Sequence, residues 1–196
     1  MKYDWEHIAN VKPYPYLLNY FSQKELQEKG IDKDISLLSE RGKKILKTVC
    51  RFGFISEKLE LYSKGRDSMQ ILFMIMILES VGKIIYEKEV LGSKEIIKKV
   101  FKEFISDDDR EILSTSFKYG KKTAFKSFDE VIDLFYKIRC EFAHELEYLN
   151  FSLMNENSST PTSMKGSNVI SHIKLSKFRK IIYNTCIKAA VKMEDK

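Results

Sequence analysis

Apolar residues recur at helical intervals over most of the chain. The spacing predicts a helix over residues 40–63, a more apolar one over 67–88, and a third that Ser93 caps. Asp107, with the two aspartates that follow it, is suited to capping a short fourth helix. No internal repeat is visible, and no alternating run of apolar and polar residues is long enough to indicate a sheet.

The fifth predicted helix carries the cleanest pattern. The run Ser127-Phe-Asp-Glu130 has the form of a capping box, and Ser171 opens a last helix further on. The patterns together predict an all-α fold, a single-domain helical bundle of five to six helices. The apolar residues that hold one face of the fifth helix are Val131, Phe135, Ile138, Phe142, Leu146 and Leu149.

Two segments depart from this regularity. Residues 1–40 have weak periodicity, and Pro13-Tyr-Pro15 predicts an extended stretch, so we expect an N-terminal arm whose aromatic residues pack on the body. Residues 154–168 are polar and without period, which predicts a loop within the helical domain of residues 41–196.

The most apolar stretch, Ile71 to Leu78, is enclosed by Asp67 on one side and Glu79 on the other. A bilayer-spanning helix needs about 20 apolar residues, so this run predicts a central core helix and no membrane partner. The first seven residues are polar and lack the apolar core of a signal peptide. We therefore expect a cytoplasmic protein.

The composition of the chain favours some classes of binding partner over others. The 34 Lys and Arg against 28 Asp and Glu give a net charge of +6, which favours anionic partners, RNA among them. The three cysteines are far apart in sequence and predict neither a disulfide framework nor a metal site, and no cofactor motif is visible. The basic residues that we predict for RNA binding, on the fifth and last helices, are Lys137, Lys174, Lys177 and Lys180; the alternative is a solvated helix face.

Arg139 and His144, near the end of the fifth helix, carry most of the candidate chemistry. Arginine is always charged and binds phosphate with a planar fork, while histidine can exchange a proton near neutral pH. The alternative is an ion-paired arginine beside a surface histidine. The two lie about 140° apart around one helix, so a two-fold pair of helices is needed to bring them into one cleft.

The segment Ile138-Arg-Cys-Glu-Phe-Ala-His144 resembles the motif of the HEPN superfamily, with Arg, then a polar residue, then His about five positions after the Arg. The resemblance implies a helical bundle that dimerises through the motif helix. It also implies a metal-independent endoribonuclease of toxin or phage-defence type, with Arg139 and His144 as the catalytic pair and an antitoxin or regulatory protein as partner. We predict Glu79, Cys140, Glu141 and Tyr148 as supporting residues.

The Phe-Ala-His ending is most similar to the mannitol operon repressor branch of that superfamily. The branch of toxins paired with a nucleotidyltransferase antitoxin carries Tyr two residues beyond its His, and here Leu146 stands in that place. Cys140 replaces the usual Asn or Asp. Two functions therefore stay open, a nuclease and a non-catalytic helical regulator or binding protein.

Glu79 has two candidate partners. Some HEPN proteins carry an acidic residue on an early helix near the Arg-His site, which implies a contact between Glu79 and Arg139. The local alternative is an i,i+4 ion pair with Lys83 on the same helix.

Overall fold

The computed structural model describes residues 11–60, 67–119, 123–125, 127–145, 153–154, 160–164 and 167–193. These residues are mostly helical, which confirms the all-α class. Their eight helices are α1 (Pro13–Leu17), α2 (Gln23–Glu28), α3 (Glu40–Glu60), α4 (Ser68–Ile85), α5 (Ser93–Phe104), α6 (Asp107–Thr115), α7 (Phe128–Glu145) and α8 (Leu175–Lys192), with a 3-10 turn at Ile35–Leu37.

Helix α4 is the centre of the bundle. It packs against α3, α5, α7 and α8, and most of its apolar side chains, from Ile71 to Val81, are buried. By length and composition alone α4 could also cross a membrane, but 56% of that apolar window is buried inside the protein. A core helix passes the same test of length and composition, so the apolar character of α4 is explained by its place in the fold.

A small antiparallel sheet lies beside the helices. Its strands β1 (Phe117–Tyr119), β2 (Thr123–Ala124), β3 (Thr160–Met164) and β4 (Ser167–Ser171) are ordered β2-β1-β4-β3. In the register, Lys118 of β1 faces Ile170 of β4, and Thr162 of β3 faces Val169 of β4. The strands are two to five residues long, too short to leave an alternating pattern in the sequence.

The sheet corrects two predictions. The loop predicted for residues 154–168 instead contains β3 and the start of β4, which form a hairpin. Ser171 does not open the last helix, because it ends β4, and α8 starts at Leu175. Backbone pairing across the strands, and the burial of Phe117 and Val169 in the core, explain why the described part of this polar segment forms strands.

The described part of the N-terminal arm, residues 11–38, packs on the helices. Pro13 does not force an extended stretch as predicted, because it stands at the first position of α1, where a proline has no hydrogen bond to lose. Ser22 and Glu25 form a capping box that starts α2. Tyr14 and Leu17 are buried, whereas Leu18 is 43% exposed, so part of the apolar surface of the arm faces the body.

A tyrosine cluster joins this arm to α3 and α8. The hydroxyl oxygens of Tyr16 and Tyr183 are 2.9 Å apart, and the hydroxyls of Tyr16 and Tyr20 both donate to the Glu57 carboxylate. Burial raises the pKa of Tyr16 far above its usual range, with the neighbouring Tyr183 and Glu57 adding to the shift. Gly53 leaves the space in which the two hydroxyls of Tyr16 and Tyr183 meet.

We predict that Gly53→Ala destabilises the protein. A helix-interior Gly→Ala change ordinarily stabilises by about 1 kcal/mol, but here the new methyl group would overlap the Tyr183 and Tyr16 hydroxyls. We expect a net loss of about 1–3 kcal/mol in the free energy of unfolding, measured by urea denaturation. The control is the same Gly53→Ala change made in a Tyr16→Phe, Tyr183→Phe background, where both hydroxyls that the methyl group would overlap are absent, and there we expect a smaller loss. Equal stability of the Gly53→Ala variant and the wild type would contradict this account of the cluster.

Candidate functional site

The candidate site is built around a buried acid, Glu79, at the end of the apolar run of α4. Its side chain is only 8% exposed, and Ile75 and Leu78 beside it on the helix are fully buried. A carboxylate in such a position is costly unless hydrogen bonds and opposite charges compensate it. The partners of Glu79 therefore determine what the site can do.

Three donors from three places in the fold converge on this carboxylate. Oε1 of Glu79 accepts hydrogen bonds from Lys83 Nζ at 2.7 Å and from Ser93 Oγ at 2.9 Å. Oε2 accepts from Arg139 Nη2 at 3.1 Å. The two alternatives left open by the sequence are thus both realised, because a carboxylate has two oxygens and each takes one cation.

The balance of burial and charge keeps Glu79 ionised. Burial by itself raises the pKa of the Glu79 carboxyl, but the hydrogen bonds from Lys83 and Ser93 and the charges of Arg139 and Lys83 outweigh it. The net effect is a pKa below the usual value for glutamate. At neutral pH Glu79 is therefore an anion that orients the groups around it.

Helix α7 carries Arg139 to this point. Asp133 lies 2.9 Å from Lys98 Nζ and 3.1 Å from Lys94 Nζ, and Asp129 lies 3.3 Å from Lys102 Nζ. These pairs align α7 antiparallel to α5, so that the second half of α7 reaches the start of α5. There Ser93 and Arg139 meet the same carboxylate.

Contacts with neighbouring side chains hold Arg139 in place, but part of its side chain is exposed to solvent. Its side chain is 23% exposed, its Nη1 lies 4.0 Å from Cys140 Sγ, and its guanidinium carbon lies 5.9 Å from the centre of the Tyr136 ring. Burial lowers the pKa of Arg139, but the charge of Glu79 and the contact with Cys140 raise it by more. A guanidinium has five N–H donors, and the contact with Glu79 leaves Arg139 with donors for a further anion.

Cys140 stands where the HEPN motif, which this segment resembles, usually has a polar side chain. It contacts Arg139, and a hydrogen bond with Tyr136, one turn earlier on α7, raises the pKa of that tyrosine, with burial as the second cause. A thiol is a weak acceptor, so it supports Arg139 less firmly than an amide would. Among the described residues no three side chains of the kinds that bind metals come together.

The histidine of the motif shares the helix of Arg139. His144 lies in the last turn of α7, but its side chain is outside the described residues, as is the whole of Tyr148. Their predicted roles stay predictions. Because both residues lie on α7, His144 is separated from Arg139 by about 140° around the helix axis.

The lysines predicted to bind RNA are mostly engaged elsewhere. Lys177 lies 3.7 Å from Asp109 of α6, and Lys180 lies 2.8 Å from Glu25 of α2. Lys137 pairs at 3.7 Å with Glu141, its neighbour one turn along α7. Lys174 is exposed just before α8. None of these contacts joins a lysine to the Glu79 cluster.

Two residues of the cluster lay outside the predicted site. Ser93 was expected to cap α5, but the cap position belongs to Gly92, and the serine side chain donates to Glu79 instead. Lys83 was considered only as a local partner of Glu79. The i,i+4 spacing signalled Lys83, whereas no pattern in the sequence signals a contact between Ser93 and Glu79.

Comparison of the chain with protein-family models, with curated proteins and with solved structures gives no match.

We predict that Glu79→Gln lowers the free energy of unfolding by roughly 1–3 kcal/mol at pH 7, the range for a hydrogen bond to a charged group. Because the pKa of Glu79 is depressed in the folded protein, its contribution is fully present above the pKa of an unfolded glutamate. It is lost as the pH falls through the folded-state value. The difference between wild type and variant should therefore shrink below about pH 4.3.

Urea denaturation at several pH values measures this difference. Glu89→Gln is the matched control, because Glu89 forms an exposed pair with Lys99 at 2.7 Å, and we expect it to cost less than about 1 kcal/mol. A Glu79→Gln difference that grows on acidification would contradict the assignment of Glu79 as a buried anion.

Proposed function

We propose that the protein is a metal-independent endoribonuclease of HEPN type that acts as a homodimer, with Arg139 and His144 as its catalytic pair. The observation that carries the proposal is the anchoring of Arg139. A buried carboxylate holds this guanidinium in place while part of the side chain stays open to solvent, which suits a residue that must meet a phosphate in a fixed orientation.

The proposed chemistry uses the 2′-hydroxyl of RNA. His144 takes the proton of that hydroxyl as its oxygen attacks the adjacent phosphorus, or it gives a proton to the leaving 5′-oxygen as the phosphorus–oxygen bond breaks. Arg139 stabilises the negative charge that builds up on the phosphoryl oxygens. The products are a 2′,3′-cyclic phosphate and a free 5′-hydroxyl.

A dimer can bring Arg139 of one chain close to a His144 side chain. With Arg139 and His144 about 140° apart on one helix, a single chain does not turn both toward one small group. Two α7 helices related by a two-fold axis can bring Arg139 of one chain close to the partner subunit's His144. The motif-helix contact that the HEPN resemblance implies would produce this arrangement.

We predict that the wild type cuts labelled single-stranded RNA in EDTA and leaves DNA of the same sequence intact. His144→Ala and Arg139→Lys should each reduce cutting by at least about 100-fold, because one loses the proton-transfer group and the other the planar fork. His172→Ala, a change at an exposed histidine, is the control and should cut normally. Undiminished cutting by His144→Ala, or cutting of DNA, would contradict the proposed mechanism.

Mixing the two inactive variants extends this test to the dimer. If each site combines Arg139 with His144 of the partner subunit, half of the mixed dimers are heterodimers with one intact site, and roughly a quarter of the wild-type activity returns. No recovery of activity would contradict a site that is shared between the two subunits.

A helical regulator is the second candidate, and the lysine contacts favour it. Lys137, Lys177 and Lys180 are paired with carboxylates of the same chain, which leaves fewer free cations for a long RNA than the composition suggests. In this case the protein binds a regulatory partner or a nucleic acid without cutting it. Equal inactivity of the folded wild type and both site variants toward RNA would support the regulator.

A further inference from the structure

We infer that Lys83 and Arg139 together form a clamp for one phosphodiester group of the RNA, an inference that rests on the proposed function. Lys83 is not part of the motif and lies on α4, whereas Arg139 lies on α7. The structure nevertheless places both cations on the same carboxylate.

The Glu79 carboxylate shows that the spacing of the cations suits a single anion. Lys83 Nζ lies 2.7 Å from one oxygen and Arg139 Nη2 lies 3.1 Å from the other. The two nitrogens are therefore no more than about 8 Å apart, given the width of a carboxylate. The two non-bridging oxygens of a phosphodiester are about as far apart as the two oxygens of a carboxylate, so both cations can contact them in the same way.

Burial places the open side of this clamp toward solvent. Glu79 is 8% exposed, whereas the side chain of Lys83 is 61% exposed and that of Arg139 is 23% exposed. The carboxylate thus contacts the two cations from their buried side. An anion that arrives from solvent meets the cations before it meets Glu79.

Charge adds to the effect of geometry. One carboxylate faces two cations, so the cluster keeps one positive charge in excess. Ser93 neutralises no charge, because it contributes a hydroxyl. Lys137, Lys177 and Lys180 differ in this respect, because among the described residues each pairs one to one with a carboxylate and leaves no positive charge in excess. A phosphodiester, with one negative charge, completes the balance.

The test measures binding separately from cleavage. A fluorescent single-stranded RNA with 2′-O-methyl groups lacks the attacking hydroxyl, so it can be titrated with the protein by fluorescence anisotropy at several salt concentrations. The variants are Lys83→Met, Lys83→Arg and the control Lys88→Met, which removes the same charge from an exposed position in the turn after α4.

We expect Lys83→Met to weaken binding roughly tenfold and to reduce the slope of log affinity against log salt by about 0.7, the value for one phosphate contact on a single strand. Lys83→Arg should retain the slope and most of the affinity, and Lys88→Met should match the wild type. Urea denaturation of each variant checks the fold.

Three results would overturn the inference. Equal effects of Lys83→Met and Lys88→Met would show that only net charge matters, and weaker binding with an unchanged salt slope would indicate a structural effect alone. Absence of any binding by the wild type at low salt would reject the clamp, whereas the proposed nuclease is decided independently by the cutting of unmodified RNA.

Discussion

One buried carboxylate fixes the relation of three helices to one another. Glu79 lies on α4, and its partners lie one turn along α4, at the first residue of α5 and on α7. Removing a partner from a buried charge is strongly unfavourable, so α5 and α7 are held to α4 at this point. The same contacts fix where Arg139 stands at the surface. Stability and the candidate function therefore depend on the same group of atoms.

Much of the fold follows from helical periodicity. All six helices of nine or more residues were predicted. Five of them bury an apolar stripe that recurs at helical spacing, whereas α6, in which Leu113 is the buried apolar residue, was predicted from the aspartates at its start. The sheet was missed, since strands as short as Thr123–Ala124 leave no alternating pattern, and the pairing of β1 with β4 joins residues far apart in sequence. The role of Pro13 was also missed, because proline suits both an extended stretch and the first turn of a helix.

The candidate site was predictable only in part. An acid at the end of an apolar run signals that Glu79 needs a partner, but the sequence alone did not choose between Lys83 and Arg139, and the structure uses both. The lysines of α8 read as an open basic face, yet Lys177 and Lys180 meet acids from distant segments. Such pairings depend on tertiary packing, which helical spacing does not encode.

The most direct test of the central claim, that Glu79 holds Arg139 in place, is a double-mutant cycle on the free energy of unfolding. Glu79→Gln, Arg139→Met and the double variant are compared with the wild type by urea denaturation at pH 7. We predict that the double variant loses less than the sum of the single losses, with a coupling of at least about 1 kcal/mol. Additive losses, within about 0.5 kcal/mol, would contradict the claim.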